Sequence, residues 1–100
     1  MSGANEIIHQ AMRLKIMAAL NALVPKTTAI EFTRLKALVG ATDGNLGAHL
    51  DTLEKAGYIV IEKRFEKRKP QTRIRMSPDG RRAFVEHVAY LREILDDAGA

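Results

Sequence analysis

The side chains best suited to chemistry in this sequence are three histidines, and they are widely separated. His9, His49 and His87 fall on three different predicted elements, and the chain contains no cysteine. A metal would therefore need histidine and carboxylate ligands alone. His87 lies within an apolar stripe, which favours a hydrogen-bonded core or interface histidine over a metal ligand. No Ser-His-Asp set, carboxylate pair or glycine-rich strand-to-helix loop has a recognisable spacing. We expect no enzyme activity, metal site or cofactor.

A concentrated run of basic residues is the other group with chemical meaning. Between Glu62 and Arg75, seven basic residues stand against two acidic ones, a net charge of +5. The remaining 86 residues hold nine basic and ten acidic side chains, a net charge of −1. The whole-chain charge of +4 therefore resides in one segment, a pattern typical of a polyanion-binding surface. The alternative is a solvated hairpin kept soluble by its charge. The basic residues are Lys63, Arg64, Lys67, Arg68, Lys69, Arg73 and Arg75.

Two helices with a short connection are predicted upstream of this run. Thr42 is a good N-cap for a helix over 43–56, which Gly57 ends. Leu46, Leu50 and Leu53 recur at helical spacing and define its inward face. The candidates for DNA contacts here are Thr42, Asn45, His49 and Thr52, and the last three, on the outward face, are the candidates for contacts with bases. A preceding helix over 34–39, capped by Thr33 with Leu35 and Leu38 inward, completes a helix-turn-helix.

The basic run itself reads as a β-hairpin. Alternating apolar residues predict strands over 58–64 and 72–76, with the loop 65–71 between them. Pro70 lacks an amide donor and is expected at or beyond the end of the ladder. The loop then carries Lys67, Arg68 and Lys69 away from the core, and Arg64, Arg73 and Arg75 complete the basic surface. A helix pair followed by a basic hairpin is a winged helix, with the wing at about 58–76.

The flanking segments are predicted to be a helix over 9–24, an edge strand over 27–32 and a C-terminal helix over about 78–97. Ser77 caps the last helix, with Pro78 and Asp79 in its first turn. Its apolar face is wider than one contact requires, so we expect part of it to pack against a second copy of the chain. A helix folded wholly onto its own domain is the alternative. The predicted dimer interface is formed by Met12, Tyr90, Leu91, Ile94 and Leu95.

The order and spacing of these segments resemble a known group of proteins. The segments are IHQAMRLKIMAAL (8–20), FTRLKALVG (32–40), TDGNL (42–46), HL (49–50), LEKAGYI (53–59) and SPDGR (77–81). Together they resemble the small winged-helix transcriptional regulators related to the ArsR and MarR groups, over about residues 7–95. The resemblance implies a dimeric DNA-binding regulator whose third helix enters the major groove and whose wing contacts the phosphate backbone or minor groove. The metal sites of ArsR-type sensors rely largely on cysteine, so metal sensing is not implied here.

The predicted third helix departs from its relatives in charge. It carries three acidic residues and one basic residue between Asp43 and Lys55. It also lacks the arginines that most often read guanine. We therefore expect the wing to supply most of the binding energy. A winged helix that docks an acidic protein partner through its basic hairpin is the competing hypothesis.

Length and composition set the remaining expectations. One hundred residues with 46% hydrophobic side chains suit a single domain, 1–100, of mainly helical α+β class. Charged residues interrupt every apolar stretch before membrane-spanning length, and the N-terminal segment lacks the basic start of a signal peptide. We expect a cytoplasmic protein that binds double-stranded DNA as a homodimer and does not contact membranes.

Overall fold

The computed structural model describes residues 3–99, so the first two residues and Ala100 of the predicted domain lie outside the described part. Its helices and strands follow the order expected of a winged helix-turn-helix. The helices are α1 (Ala11–Asn21), α2 (Phe32–Val39), α3 (Asp43–Lys55) and α4 (Pro78–Gly99), and the strands are β1 (Ile30–Glu31), β2 (Ile59–Glu66) and β3 (Lys69–Met76). The strands form an antiparallel sheet in the order β1-β3-β2.

One apolar core joins the first three helices to the sheet. Each of α1, α2 and α3 contributes residues spaced three or four apart, and β2 and β3 contribute their alternate residues. Burial of these side chains is the main force that holds α3 and the wing in fixed relation. The fully or almost fully buried members are Ile8, which precedes α1, and Ile16, Met17, Leu20, Leu35, Leu46, Leu50, Leu53 and Ile74.

The joint between α2 and α3 is built as the sequence predicts. Gly40 ends α2 in the left-handed conformation, with φ of 69°, which a residue without a Cβ adopts at low cost. The Oγ1 of Thr42 accepts a hydrogen bond from the backbone N–H of Asn45 at 3.2 Å and so caps α3. Three residues therefore separate two helices that share one core.

The first two helices differ from their predicted bounds. The Gln10 side chain accepts from the N–H of Arg13, so α1 starts at Ala11, and it ends at Asn21, well before Pro25. Helix α2 begins directly after β1 without a side-chain cap, so the prediction that Thr33 caps it is wrong. The inward placement of Leu38 is also wrong, because 60% of its surface is exposed. The inward face lies between Leu35 and Val39, and Leu38 points away from it.

The hairpin is longer and its turn tighter than predicted. Strand β2 continues to Glu66 and β3 begins at Lys69, so the turn is Lys67-Arg68 rather than a seven-residue loop. Both turn residues have positive φ, 49° and 65°, as a two-residue hairpin turn of type I′ requires. The prediction for Pro70 is wrong, because it pairs with Phe65 inside the ladder. The neighbouring pair 66/69 closes the turn, and in an antiparallel ladder the next pair needs no inter-strand N–H, so proline fits there.

Helix α4 is fixed to the sheet at its first turn. Ser77 caps it: the Gly80 N–H donates to Ser77 Oγ at 2.9 Å, and the Ser77 hydroxyl donates to the Gly57 carbonyl at 2.6 Å. Gly80 lies so close to β2 that an added Cβ would stand 2.0 Å from the Tyr58 carbonyl oxygen. The helix can approach the sheet this closely only because residue 80 has no side chain.

Candidate nucleic-acid interface

Helix α3 presents a shallow outward face made of small residues. Gly44, Asn45, Gly47 and Ala48 are exposed. Within residues 3–99, nothing other than the neighbouring backbone of α3 itself lies within 4 Å of where a Cβ would stand on Gly44 or Gly47, so internal packing does not require glycine there. A surface this low allows another molecule to approach the helix backbone closely. Asn45 projects from it, and among residues 3–99 no hydrogen-bond partner occupies its side chain.

The other predicted reading residues of α3 are partly engaged within the protein. Thr52 is half-buried, and its hydroxyl donates to the Ala48 carbonyl at 3.3 Å. His49 is also half-buried, with its Nδ1 3.3 Å from an Arg13 guanidinium nitrogen of α1. Arg13 is held in turn by the Ile7 carbonyl. Of the four, Asn45 is therefore the residue whose side chain is both exposed and free of partners within residues 3–99, while Thr42 is exposed but its Oγ1 caps α3.

The acidic character of α3 is offset by neighbouring lysines. Lys36 Nζ of α2 lies 2.7 Å from Asp43 Oδ1, and Lys55 Nζ lies 2.8 Å from Asp51 Oδ2. The hydrogen bond to Asp51 raises the pKa of the exposed Lys55 side chain. Such exposed pairs contribute little to stability, but they reduce the repulsion that α3 would exert on phosphates. Spacing alone does not reveal the Lys36–Asp43 pair, because it crosses the joint between two helices.

The outer face of the wing carries arginines that are already paired with glutamates. Arg75 Nε lies 3.0 Å from Glu62 Oε1. Arg64 and Arg73 lie 3.8 and 3.9 Å from Glu66 Oε2. These contacts follow from the register, which places 62 opposite 73 and 64 opposite 71 on one face of the ladder. The three arginines thus keep only part of their charge available to an anion.

The tip of the wing carries unpaired cations. Lys67, Arg68 and Lys69 are exposed, and within the described part of the chain none of them forms an ion pair. All residues from 63 to 70 are exposed, so the outer half of the hairpin extends beyond the core. The tip is therefore the most available cationic surface of the wing, as the sequence predicts.

Sequence reasoning missed a large apolar side chain on the wing. Phe65 is 78% exposed and lies opposite Pro70. Its face of β2 begins in the core with Ile59 and Ile61 and continues outward through Lys63 to Phe65. The alternation of residues 59, 61, 63 and 65 indicates that Phe65 shares the strand face of Ile59. The predicted loop begins at residue 65, so it excludes Phe65 from that face.

The residues predicted at a dimer interface lie at two depths. Met12, Tyr90 and Leu91 are half-buried within the chain itself. Ile94 and Leu95 are 46% and 68% exposed, near the end of α4. The apolar stripe of α4 therefore continues past the region that its own chain covers.

His87 lies at the centre of a small polar cluster beneath α4. It is fully buried, and its Nδ1 accepts a hydrogen bond from the Asn5 backbone N–H at 3.1 Å. The Asn5 side chain donates to the Tyr58 hydroxyl at 2.9 Å, and the His9 ring stands edge-on to His87 at 5.3 Å. Burial, and secondly the charge of His9, lower the pKa of His87 below 6.5. His87 thus holds the N-terminal segment as a neutral core histidine.

Residues 3–99 contain neither a metal-binding cluster nor a membrane-spanning helix. No group of three or more histidine, aspartate or glutamate side chains lies close enough together there to hold a metal ion. No helix in this range has the length and hydropathy needed to cross a bilayer.

Comparison with known proteins identifies the architecture. A family model described as a winged helix DNA-binding domain matches residues 12–95. The chain belongs to this family. The match covers almost all of α1, the helix-turn-helix, the wing and most of α4. It describes a DNA-binding domain rather than an enzyme, as the sequence predicts. The narrower resemblance to the ArsR and MarR groups stays a prediction.

Individual relatives of this winged helix DNA-binding domain cover almost its whole length. An uncharacterized protein of Methanocaldococcus jannaschii is 37% identical over 90 residues, 90% of each chain. A solved transcriptional regulator homologue from Pyrococcus horikoshii is 24% identical with a TM-score of 0.84, covering 96% of this chain and 91% of its own. A candidate transcriptional regulator from Thermoplasma acidophilum is 19% identical with a TM-score of 0.62, covering 96% and 95%. Both structures share the fold described above.

Proposed function

We propose that the protein is a transcriptional regulator in which α3 lies in the major groove of DNA and the wing tip contacts the phosphate backbone or the minor groove. The observation that carries the proposal is the set of unpaired cations at Lys67, Arg68 and Lys69, on a hairpin that extends beyond the core. A compact cationic tip of this kind suits duplex DNA, which carries one negative charge about every 1.7 Å along its helix axis.

Helix α3 contributes fit and limited base reading in this arrangement. Its low surface at Gly44, Gly47 and Ala48 lets the helix backbone approach the groove, and Asn45 can pair with adenine through its amide. Thr42, His49 and Thr52 are further candidates, with His49 positioned by Arg13. Most of the affinity comes from the wing, with Arg64, Arg73 and Arg75 behind the tip.

The ion pairs of α3 favour DNA over an acidic protein as the partner. The competing hypothesis depended on an acidic helix that phosphates would repel. Two of its three carboxylates, Asp43 and Asp51, are paired with lysines, which weakens that objection. The basic tip alone is compatible with both partners, and the α3 pairs shift the balance towards DNA.

We further propose that the protein acts as a homodimer through the outer part of α4. Ile94 and Leu95 are exposed there and continue an apolar stripe with Leu91 and Tyr90. Met12 of α1, half-buried against the core, is the fifth proposed contact residue. Exposed apolar stripes often mark protein interfaces, and a homodimer with a two-fold axis is the commonest assembly that buries such a surface. Two wings would then be available to one DNA molecule.

The test of DNA binding is a titration of fluorescently labelled duplex at several salt concentrations. If roughly four to six phosphates are neutralised per protomer, log affinity falls with log salt at about −0.9 per contact. Replacing Lys67, Arg68 and Lys69 with alanine should weaken binding to all sequences and flatten the slope. Asn45→Ala should instead change the preference among sequences selected from a random duplex pool. An absence of binding at low salt, together with recovery of a stoichiometric protein partner, would favour the competing hypothesis.

A further inference from the structure

The exposed phenylalanine of the wing lies outside the core of the protein. Phe65 is 78% exposed, and its cross-strand neighbour is Pro70, itself exposed. The apolar members of the same strand face, Ile59 and Ile61, are covered by the core, but nothing described in residues 3–99 covers the ring. Leaving an aromatic side chain in water forgoes the favourable burial that it could provide.

The surroundings of Phe65 indicate the chemistry of what covers it. Lys63 precedes it on the same strand face, and the tip cations Lys67, Arg68 and Lys69 follow it. The one nearby acid, Glu66, is occupied by Arg64 and Arg73. The occupant must therefore offer a dense negative charge beside an apolar slot. Duplex DNA has both, since its phosphates flank stacked bases that can be parted.

We propose that Phe65, supported by Pro70, is an apolar wedge that enters the minor groove and partly unstacks a base step, while the tip cations hold the flanking phosphates. Phenylalanine and proline are among the side chains that minor-groove binders insert in this way, and insertion bends the duplex. The minor groove is about 6 Å wide, so it admits the tip side chains but not the whole two-stranded ladder. Phe65 acts in this way only if the protein binds DNA as proposed above.

The chain offers a sensitive reporter for this proposal because it has no tryptophan. In a Phe65→Trp variant, the only indole lies at the wedge. Saturation with duplex should quench its emission and protect it from iodide. A change in emission that depends on protein concentration without DNA would place the ring against another protein molecule and overturn the proposal.

The affinity test compares Phe65→Ala with the wild-type protein and with Val24→Ala. Val24 is a matched control because it is an exposed apolar residue, at 84%, in a loop far along the chain from the wing. Losing one base contact of this kind should weaken binding by about 10- to 100-fold. The salt slope should stay unchanged because no charge is removed. The control should bind like the wild type.

DNA bending separates a wedge from a merely adhesive side chain. Energy transfer between dyes at the ends of the duplex should report a bend with wild-type protein that Phe65→Ala largely removes. If the wild type binds DNA but Phe65→Ala matches its affinity and bend, the wedge is wrong and the DNA-binding proposal stands. If the wild type binds no DNA, the proposed function itself fails.

Discussion

Gly80 illustrates how one residue without a side chain sets the position of a helix. Its backbone lies against Tyr58, and a methyl group there would stand 2.0 Å from a carbonyl oxygen. We expect Gly80→Ala to lower the free energy of unfolding by about 1–3 kcal/mol, because α4 must move away from the sheet. Chemical denaturation measures this change.

The glycines of α3 supply the matched control for that experiment. Gly47 is helical and exposed, with open space where its Cβ would stand. Gly47→Ala should therefore stabilise the free protein by up to about 1 kcal/mol through its higher helix propensity. Equal effects of the two substitutions would contradict the close packing at Gly80. The same Gly47→Ala variant should bind DNA less tightly if α3 approaches the groove through its backbone.

His87 gives the protein a dependence of stability on pH. Its folded-state pKa is lowered by burial and by His9, whereas the unfolded chain keeps a value near 6.5. The unfolded state therefore binds the proton more tightly. Stability should be greatest above about pH 7, fall as the pH drops through 6.5, and level off below the folded-state pKa. Protonation also removes the acceptor that Nδ1 offers to Asn5.

Denaturation at pH 7.5 and pH 5.5 checks this behaviour. The difference in unfolding free energy between the two pH values should shrink in His87→Gln, which has no titratable ring. His49→Gln is the matched control, since that histidine is only half-buried on α3. If the unfolding free energy of His87→Gln still changes with pH as much as that of the wild type, groups other than His87 cause the pH dependence.

At the scale of elements, the wing turn places two cations, Lys67 and Arg68, at positions whose backbone conformation favours asparagine or glycine. Lys67 and Arg68 both adopt positive φ, which costs side-chain-bearing residues roughly 1–2 kcal/mol each. Asparagine and glycine suit such a turn better. The Lys67→Asn, Arg68→Gly double variant should increase hydrogen-exchange protection of the wing amides, while it weakens DNA binding and lowers the salt slope by about two contacts. Tighter DNA binding by this variant would contradict a role for the two charges.

The same turn shows what the sequence could and could not predict. Thr42, the three leucines of α3 and Gly57 are strong local signals, and they located α3 almost to the residue. Lys67-Arg68 has none of the residues that mark a two-residue turn, so the wing was predicted with a long loop. The pairs Arg75–Glu62 and Arg13–His49 join residues 13 and 36 positions apart. Contacts of this kind depend on strand register and helix packing, and hence on the finished fold.

At the scale of the whole molecule, the proposed dimer contact at the end of α4 would bring two wings together. The helix has 22 residues. Towards its C-terminal end the rest of the chain no longer covers the apolar stripe, and Ile94 and Leu95 are exposed. A second copy that covers this stripe would join two DNA-binding surfaces. Effective concentration then makes the dimer bind a two-site duplex far more tightly than a monomer does.

Charged substitutions at this end of α4 should separate assembly from folding. If α4 forms the proposed dimer, Leu95→Lys should convert it to a monomer in analytical ultracentrifugation, because a lysine at the two-fold contact would be buried without a compensating partner. The monomeric variant should still unfold cooperatively on heating, because the side chain of Leu95 is exposed within its own chain. Val85→Lys is the matched control, an exposed apolar position on another side of the same helix. If Leu95→Lys sediments as the wild type does, this stripe is not the dimer contact. If it becomes monomeric yet binds a two-site duplex as tightly as the wild type, dimerisation does not contribute to DNA binding.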